Sequence, residues 1–208
     1  MKAEKASGCR VTRSVHIQHN IAGLVLAGGK SSRMGSNKAF LPFRGIRLVD
    51  HMMRTLDFAG ATSIWVSGWV PGHASIPDLK PGLGPLGGID SALDQISGSE
   101  SSLLIVIPVD MPLLLPEQIK KLYRPLLANK KQQAAYFDGH SLPAVFRINK
   151  RLRTELRLLL SERTDKSHRS VHELLRRMNA SPIDGDFKCF LNANTPEDWQ
   201  VILKKESS

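Results

Sequence analysis

The chain has 208 residues, 41% hydrophobic and 23% charged, enough apolar content for one α/β domain with a substantial core. A formal charge of +10 attracts nucleoside triphosphates, phosphorylated small molecules, nucleic acid and acidic proteins alike. With 6% aromatic residues and no basic block interleaved with aromatics, nucleic acid is disfavoured, and no run reaches the length of a membrane span.

The two cysteines, Cys9 and Cys189, have neither zinc-site nor disulfide-framework spacing, so a reducing cytoplasm is the expected compartment. Residues 1–20 are basic and lack the apolar core of a secretory signal; they read as a disordered extension ahead of a single domain over 21–205.

The first element is the apolar run Ile21 to Leu26, which stops at Gly28 and Gly29 and gives way to a small, polar, basic loop. That is the pattern of a buried strand delivering an anion-binding turn, since adjacent glycines bring backbone N–H groups close to a phosphate. Arg33 and Lys38 add a planar fork and a point charge, two ways of neutralising phosphate oxygens. Taken alone, the glycine pair also fits an ordinary solvated turn. It is neither a P-loop nor G-x-G-x-x-G.

Phe40 to Phe43 with Gly45 predicts a short extended segment and a turn. Leu48, Val49, Met52, Met53 and Leu56 then recur at helical spacing within 47–58, with the methionines as packing groups. Thr62 to Ser67 predicts a second strand, whose end places Ser67 beside the first loop in a parallel sheet. Trp65 and Trp69 read as core and surface packing. Residues 76–89, with four glycines and three prolines up to Gly88, read as an irregular stiffened loop, followed by a helix over 86–96.

Leu103 to Ile107 is almost wholly apolar and ends in Pro108-Val109-Asp110-Met111-Pro112. A lone carboxylate at the carboxyl end of a central strand suits Mg²⁺, which takes one or two carboxylates and bridges phosphate oxygens; a turn-capping role fits the spacing too. Residues 116–127 predict a helix, and 134–137 with 142–146 two short strands about Asp138-Gly139. Residues 148–160 and 170–178 predict basic helices, solvated faces first and surfaces for a phosphorylated ligand or an acidic protein second. His168 and His172, four apart on an expected helix, read as surface histidines. Thr195, Pro196 and Asp198 predict a helix start.

Four strings in this order, Leu26-Ala27-Gly28-Gly29-x-Ser-x-Arg33-Met34-Gly35-x-x-Lys38, Gly84-Pro85-Leu86-Gly87-Gly88, Pro108-x-Asp110-x-Pro112 and Asn192-x-Asn194-Thr195-Pro196, together resemble the molybdopterin nucleotidyltransferases, and among them the molybdenum cofactor guanylyltransferases, over about residues 20–203. The resemblance implies a Rossmann-like three-layer α/β sandwich with a mostly parallel central sheet, as in nucleotide-diphospho-sugar transferases. It also implies transfer of GMP from GTP to molybdopterin phosphate with Mg²⁺, at catalytic Arg33, Lys38 and Asp110. The nucleotide would meet Leu26, Ala27, Gly28, Gly29, Lys38, Ser67, Asp78, Gly84 and Asp110, with the Asp78 carboxylate reading the donor edge of guanine. Asn194 would serve the metal or the acceptor. Molybdoenzyme apoproteins or their chaperones are the implied protein partners. The chain departs from the family where Leu142 stands in place of the usual histidine before Pro143. A CTP-dependent sister enzyme, a sugar- or alcohol-phosphate nucleotidyltransferase and a non-catalytic molybdopterin carrier remain alternatives.

Overall fold

The computed structural model describes residues 20–28, 37–77, 82–96, 102–161 and 165–206. At its centre lie β1 (Ile21–Leu26) and β6 (Leu103–Pro108), paired in parallel from Ile21 opposite Leu103 to Leu26 opposite Pro108. Every residue of β1 is buried and so is most of β6, as their unbroken apolar sequences require of strands covered on both faces. Outward from β1 lie β4 (Ser63–Ser67) and β5 (Ser75–Ile76), both parallel to it. Outward from β6 lie β8 (Ala144–Arg147), β7 (Ala134–Phe137) and β9 (Ser181–Ile183), giving the order β5-β4-β1-β6-β8-β7-β9. Of these strands β8 alone runs against the rest, pairing antiparallel with both β6 and β7. A small hairpin of β2 (Pro42–Phe43) and β3 (Ile46–Arg47) stands apart.

Alternate residues of β1 serve two cores. Ile21 and Val25 pack with α1 (Leu48–Phe58), α3 (Pro116–Ala128) and α6 (Pro196–Glu206) through Met52, Leu56, Ile119, Leu122, Trp199 and Ile202. Ala22, Leu24 and Leu26 pack with α2 (Gly84–Ile96), α4 (Lys150–Leu160) and α5 (Val171–Arg177) through Ile89, Leu93, Leu152, Leu156 and Leu174. The result is the expected three-layer sandwich. Each large side chain removed from water contributes about 1.5–3 kcal/mol, so the paired cores dominate the stability.

Two glycines set the layer distances. A Cβ on Gly23 would fall 2.9 Å from Leu56 Cδ1, and one on Gly88 2.5 Å from Ser67 Oγ and 2.9 Å from Leu26 Cδ2. Helix α2 begins at Gly84 rather than at residue 86, so the Gly-Pro-Leu-Gly-Gly string is its opening turn, not the tail of an irregular loop. Proline fits there because early helical residues need no intrahelical N–H donor. Ile76 ends the short strand β5 rather than opening the loop. His168 lies in a 3-10 turn (Lys166–His168) while His172 lies in α5, with Ser170 between them as the cap of α5. The two histidines therefore do not share a helix face.

Candidate active site

The chain passes from β1 to β4 on one side and later to β6 on the other, so the strand order reverses at β1, and the carboxyl ends of β1 and β6 lie where open α/β sheets form their ligand crevice. The Ala27 N–H donates to Ser67 O at 3.1 Å and the Val109 N–H to Leu26 O at 3.1 Å, lacing the ends of β4, β1 and β6 together. Gly68 has φ +99°, and a Cβ there would lie 3.1 Å from the Gly28 backbone N; this close approach leaves Gly28 exposed at the crevice. Ser67 is buried, 6% exposed. Gly84, φ +58°, opens α2 one turn before Gly88 packs on Leu26 and Ser67, the last residues of their strands.

Three residues distant in sequence converge here. Lys38 opens a 3-10 turn capped by Asn37, whose Oδ1 accepts from the Ala39 N–H at 3.1 Å. Its Nζ donates to Asn194 Oδ1 at 2.9 Å and reaches Asp110 Oδ2 at 3.4 Å, across 156 and 72 positions of sequence. The Lys38 and Asp110 side chains keep 15% and 22% of their surface accessible. Asp110 follows β6, and its carbonyl accepts from the Ala193 N–H at 2.8 Å, which ties the segment before α6 to the carboxylate loop. Asn194 is set by the cap of α6: Asp198 Oδ2 accepts from the N–H groups of Asn194 and Thr195, at 3.0 and 2.9 Å, while Thr195 Oγ1 accepts from the Asp198 N–H at 3.2 Å.

The Asp110 loop is also braced from behind. His51 on α1 bonds through Nε2 to Pro112 O at 2.9 Å. Burial holds its imidazole below the ordinary pKa, so the ring is a neutral donor to that carbonyl at pH 7. Neither His51 nor the Ala193 tie was singled out from sequence, where a helix-face histidine and a backbone amide carry no distinguishing signal.

Among the sequence-based candidates, Leu26, Ala27, Gly28, Lys38, Ser67, Gly84, Asp110 and Asn194 all lie on or beside this crevice, whereas Gly29, Arg33 and Asp78 lie outside the described residues. The Lys38 ammonium sits between a carboxylate oxygen and an amide oxygen. A cation thus already occupies the focus of two hard oxygen donors, the donor chemistry that a small divalent ion prefers. Among the described residues no three His, Cys, Asp or Glu side chains gather as a protein-only metal cage.

A family model for the MobA-like NTP transferase domain matches residues 23–180. The chain belongs to this family, and it is a nucleotidyltransferase. It is 36% identical over 188 residues, 90% of this chain and 96% of the relative, to the molybdenum cofactor guanylyltransferase of Xanthomonas euvesicatoria, and 29% identical over 185 residues, 86% and 92% of the two chains, to that of Rhodobacter capsulatus. The solved structure of molybdopterin-guanine dinucleotide biosynthesis protein A from Archaeoglobus fulgidus superposes with a TM-score of 0.70 at 21% identity, covering 89% of this chain and 98% of that one. A Thermus thermophilus cytidylyltransferase acting on 2-C-methyl-D-erythritol 4-phosphate follows the same fold, with a TM-score of 0.59 at 14% identity over 89% and 98% of the chains. Both solved structures share this fold.

Proposed function

We propose that this nucleotidyltransferase moves GMP from GTP onto the phosphate of molybdopterin, releasing pyrophosphate and forming a guanine dinucleotide cofactor. The names of its relatives support this choice of substrates. The convergence of Lys38, Asp110 and Asn194 at the strand ends is the observation that carries it.

An acceptor phosphate oxygen attacks the α-phosphorus of GTP, forming a P–O–P bond. The bond from the α-phosphorus to the bridging oxygen breaks, and its electron pair leaves with pyrophosphate. The acceptor is already an anion at neutral pH, so no general base is required, and rate comes from alignment and charge neutralisation. Lys38 neutralises phosphate oxygens. Gly28 and Gly29 offer backbone N–H groups, and Arg33 holds the leaving pyrophosphate. Asp110 and Asn194 would hold Mg²⁺ through their side-chain oxygens, and the bound ion would supply Lewis-acid polarisation of the phosphate. Leu26, Ala27, Ser67 and Gly84 shape the nucleotide wall, with Asp78 reading the guanine edge. Asn194 also orients the acceptor phosphate.

Among the described residues no helix is long and apolar enough to cross a membrane. The cytoplasm is the proposed site of action, and molybdoenzyme apoproteins or their chaperones are the proposed recipients. Calorimetric titration with GTP, CTP, ATP and UTP in the presence of Mg²⁺ tests the nucleotide. The expected result is tight binding of GTP alone, abolished in Asp78→Ala. A preference for CTP overturns the guanine assignment, and absence of any nucleotide binding overturns the transfer reaction.

A further inference from the structure

A cleft of about 290 Å³ opens between the β2–β3 hairpin, α1 and the segment joining β6 to α3. Its lining is lopsided. Ile46, Phe58, Leu113 and Leu115 give apolar walls, and Arg44, His51 and Arg54 bring nitrogen groups. Among the described residues no aspartate or glutamate borders it. Lys38, Asp110 and Asn194 do not border it either, so it is a different cavity from the crevice at the strand ends. Phe58 is 68% exposed and Leu115 45%, which leaves the walls apolar area to lose to an occupant.

The two arginines are held there in different ways. Arg44 has φ +51° beside Gly45 at +75°, in the two-residue turn of the hairpin, where asparagine or glycine is the ordinary occupant. Its guanidinium carbon lies 5.3 Å from the centre of the Phe43 ring and its Nε donates to Glu206 Oε1 at 3.0 Å, with half of the side chain still accessible. Arg54, exposed on α1, has no hydrogen bond or ion pair with any described residue. His51 spends its Nε2 on Pro112 O. Burial lowers the pKa of that ring, and the charges of Arg44 and Arg54 lower it further, so both guanidinium groups are felt inside the cleft.

Charge and size narrow the occupant. A second copy of the chain seated face to face would set these guanidinium groups against their own kind. The volume lies at the lower bound of small-molecule clefts, about 300 Å³, and a guanidinium fork matches the paired oxygens of a carboxylate or a phosphate. We propose that this cleft binds a small amphipathic anion, its acidic oxyanion head at Arg54 and Arg44 and its apolar body against Phe58, Leu113 and Leu115. The site is independent of which nucleotide and acceptor the crevice takes.

The test is fluorescence titration of the full chain with 8-anilino-1-naphthalenesulfonate, with and without GTP and Mg²⁺, in the wild type, Arg54→Ala and Phe58→Ser. Expected is saturable one-to-one binding that GTP leaves in place and that weakens about five-fold in each variant. The uncharged N-phenyl-1-naphthylamine should bind the wild type about five-fold more weakly than the sulfonate. Displacement of the dye by 1-naphthoate or by 1-naphthyl phosphate supports the site, the stronger competitor assigning the head to a carboxylate or to a phosphate. Displacement by neither overturns it. Equal dye affinity in Arg54→Ala and wild type reduces the cleft to an apolar surface and overturns it too. Dye that GTP expels belongs to the crevice, and self-association in sedimentation that Phe58→Ser abolishes gives the face to a second copy; each overturns the assignment.

Discussion

Two three-membered polar clusters built from the same ingredients hold the start of α1 and the crevice. Each has a cation, a carboxylate and a third polar side chain. In the first, Arg47 grips Asp50 with two prongs, Nε to Oδ2 at 2.7 Å and Nη2 to Oδ1 at 3.0 Å. His73 Nε2 closes on Asp50 Oδ1 at 2.5 Å, and the remaining guanidinium nitrogen, Nη1, donates to Pro71 O at 3.1 Å. In the second, Lys38 meets Asn194 at 2.9 Å and Asp110 only at 3.4 Å. The first cluster is saturated, and it fastens α1 to the segment joining β4 and β5. Among the described residues the second holds its carboxylate by one long contact and keeps acceptor capacity for an incoming ligand. A planar fork makes a fastener and a point charge makes a site.

The largest effect that tests this contrast is on turnover. Lys38→Ala and Asp110→Ala should each lower pyrophosphate release from GTP and acceptor by about 10²–10³ while leaving the urea midpoint unchanged. Full activity in either removes that residue from the site. Asp50→Ala should do the reverse, lowering stability in urea by about 1 kcal/mol with turnover within about two-fold of wild type. A large loss of activity with normal stability would show the first cluster to be part of the site.

The smallest effect is the pH dependence of the fastener. The Arg47 hydrogen bonds hold the Asp50 carboxyl below its ordinary pKa. A carboxyl lowered on folding adds stability that is present above its unfolded value and fades as pH falls through the folded one. The gap between wild type and Asp50→Ala in urea should therefore be constant near neutrality and shrink below about pH 4. Glu173, brought to about 2 by Arg176 and Arg177, destabilises both proteins alike on acidification and so leaves the gap unchanged. A gap that widens on acidification would contradict the sign.

The two clusters also differed in how visible they were before the fold was seen. Asp110 announces itself by position, at the end of an apolar run and between two prolines, and Lys38 by the glycine-bearing string that precedes it. Asp198 and Thr195 likewise spell out the start of α6, and the structure supplies both cap bonds. The meeting of Lys38 with Asn194 could not be read, because 156 positions separate them and only the sheet order brings them together. Arg47, Asp50 and His73 went unnoticed, since a salt-bridged pair at the head of a helix looks like any solvated turn. β9 is not legible because three residues with Pro182 inside lack a strand signature; proline is tolerated there because the strand is at the edge. The Gly-Pro-Leu-Gly-Gly turn was misplaced because glycine and proline argue for loop locally, whereas Gly88 is fixed by contact with Ser67 and Leu26.

The single reversed strand has a metrical consequence. By slotting between β6 and β7, β8 sets the carboxyl ends of those two strands two strand spacings apart, roughly 10 Å. Because backbone pairing fixes that spacing, the β7–β8 turn is carried at a set distance from the end of β6 whatever side chains either bears.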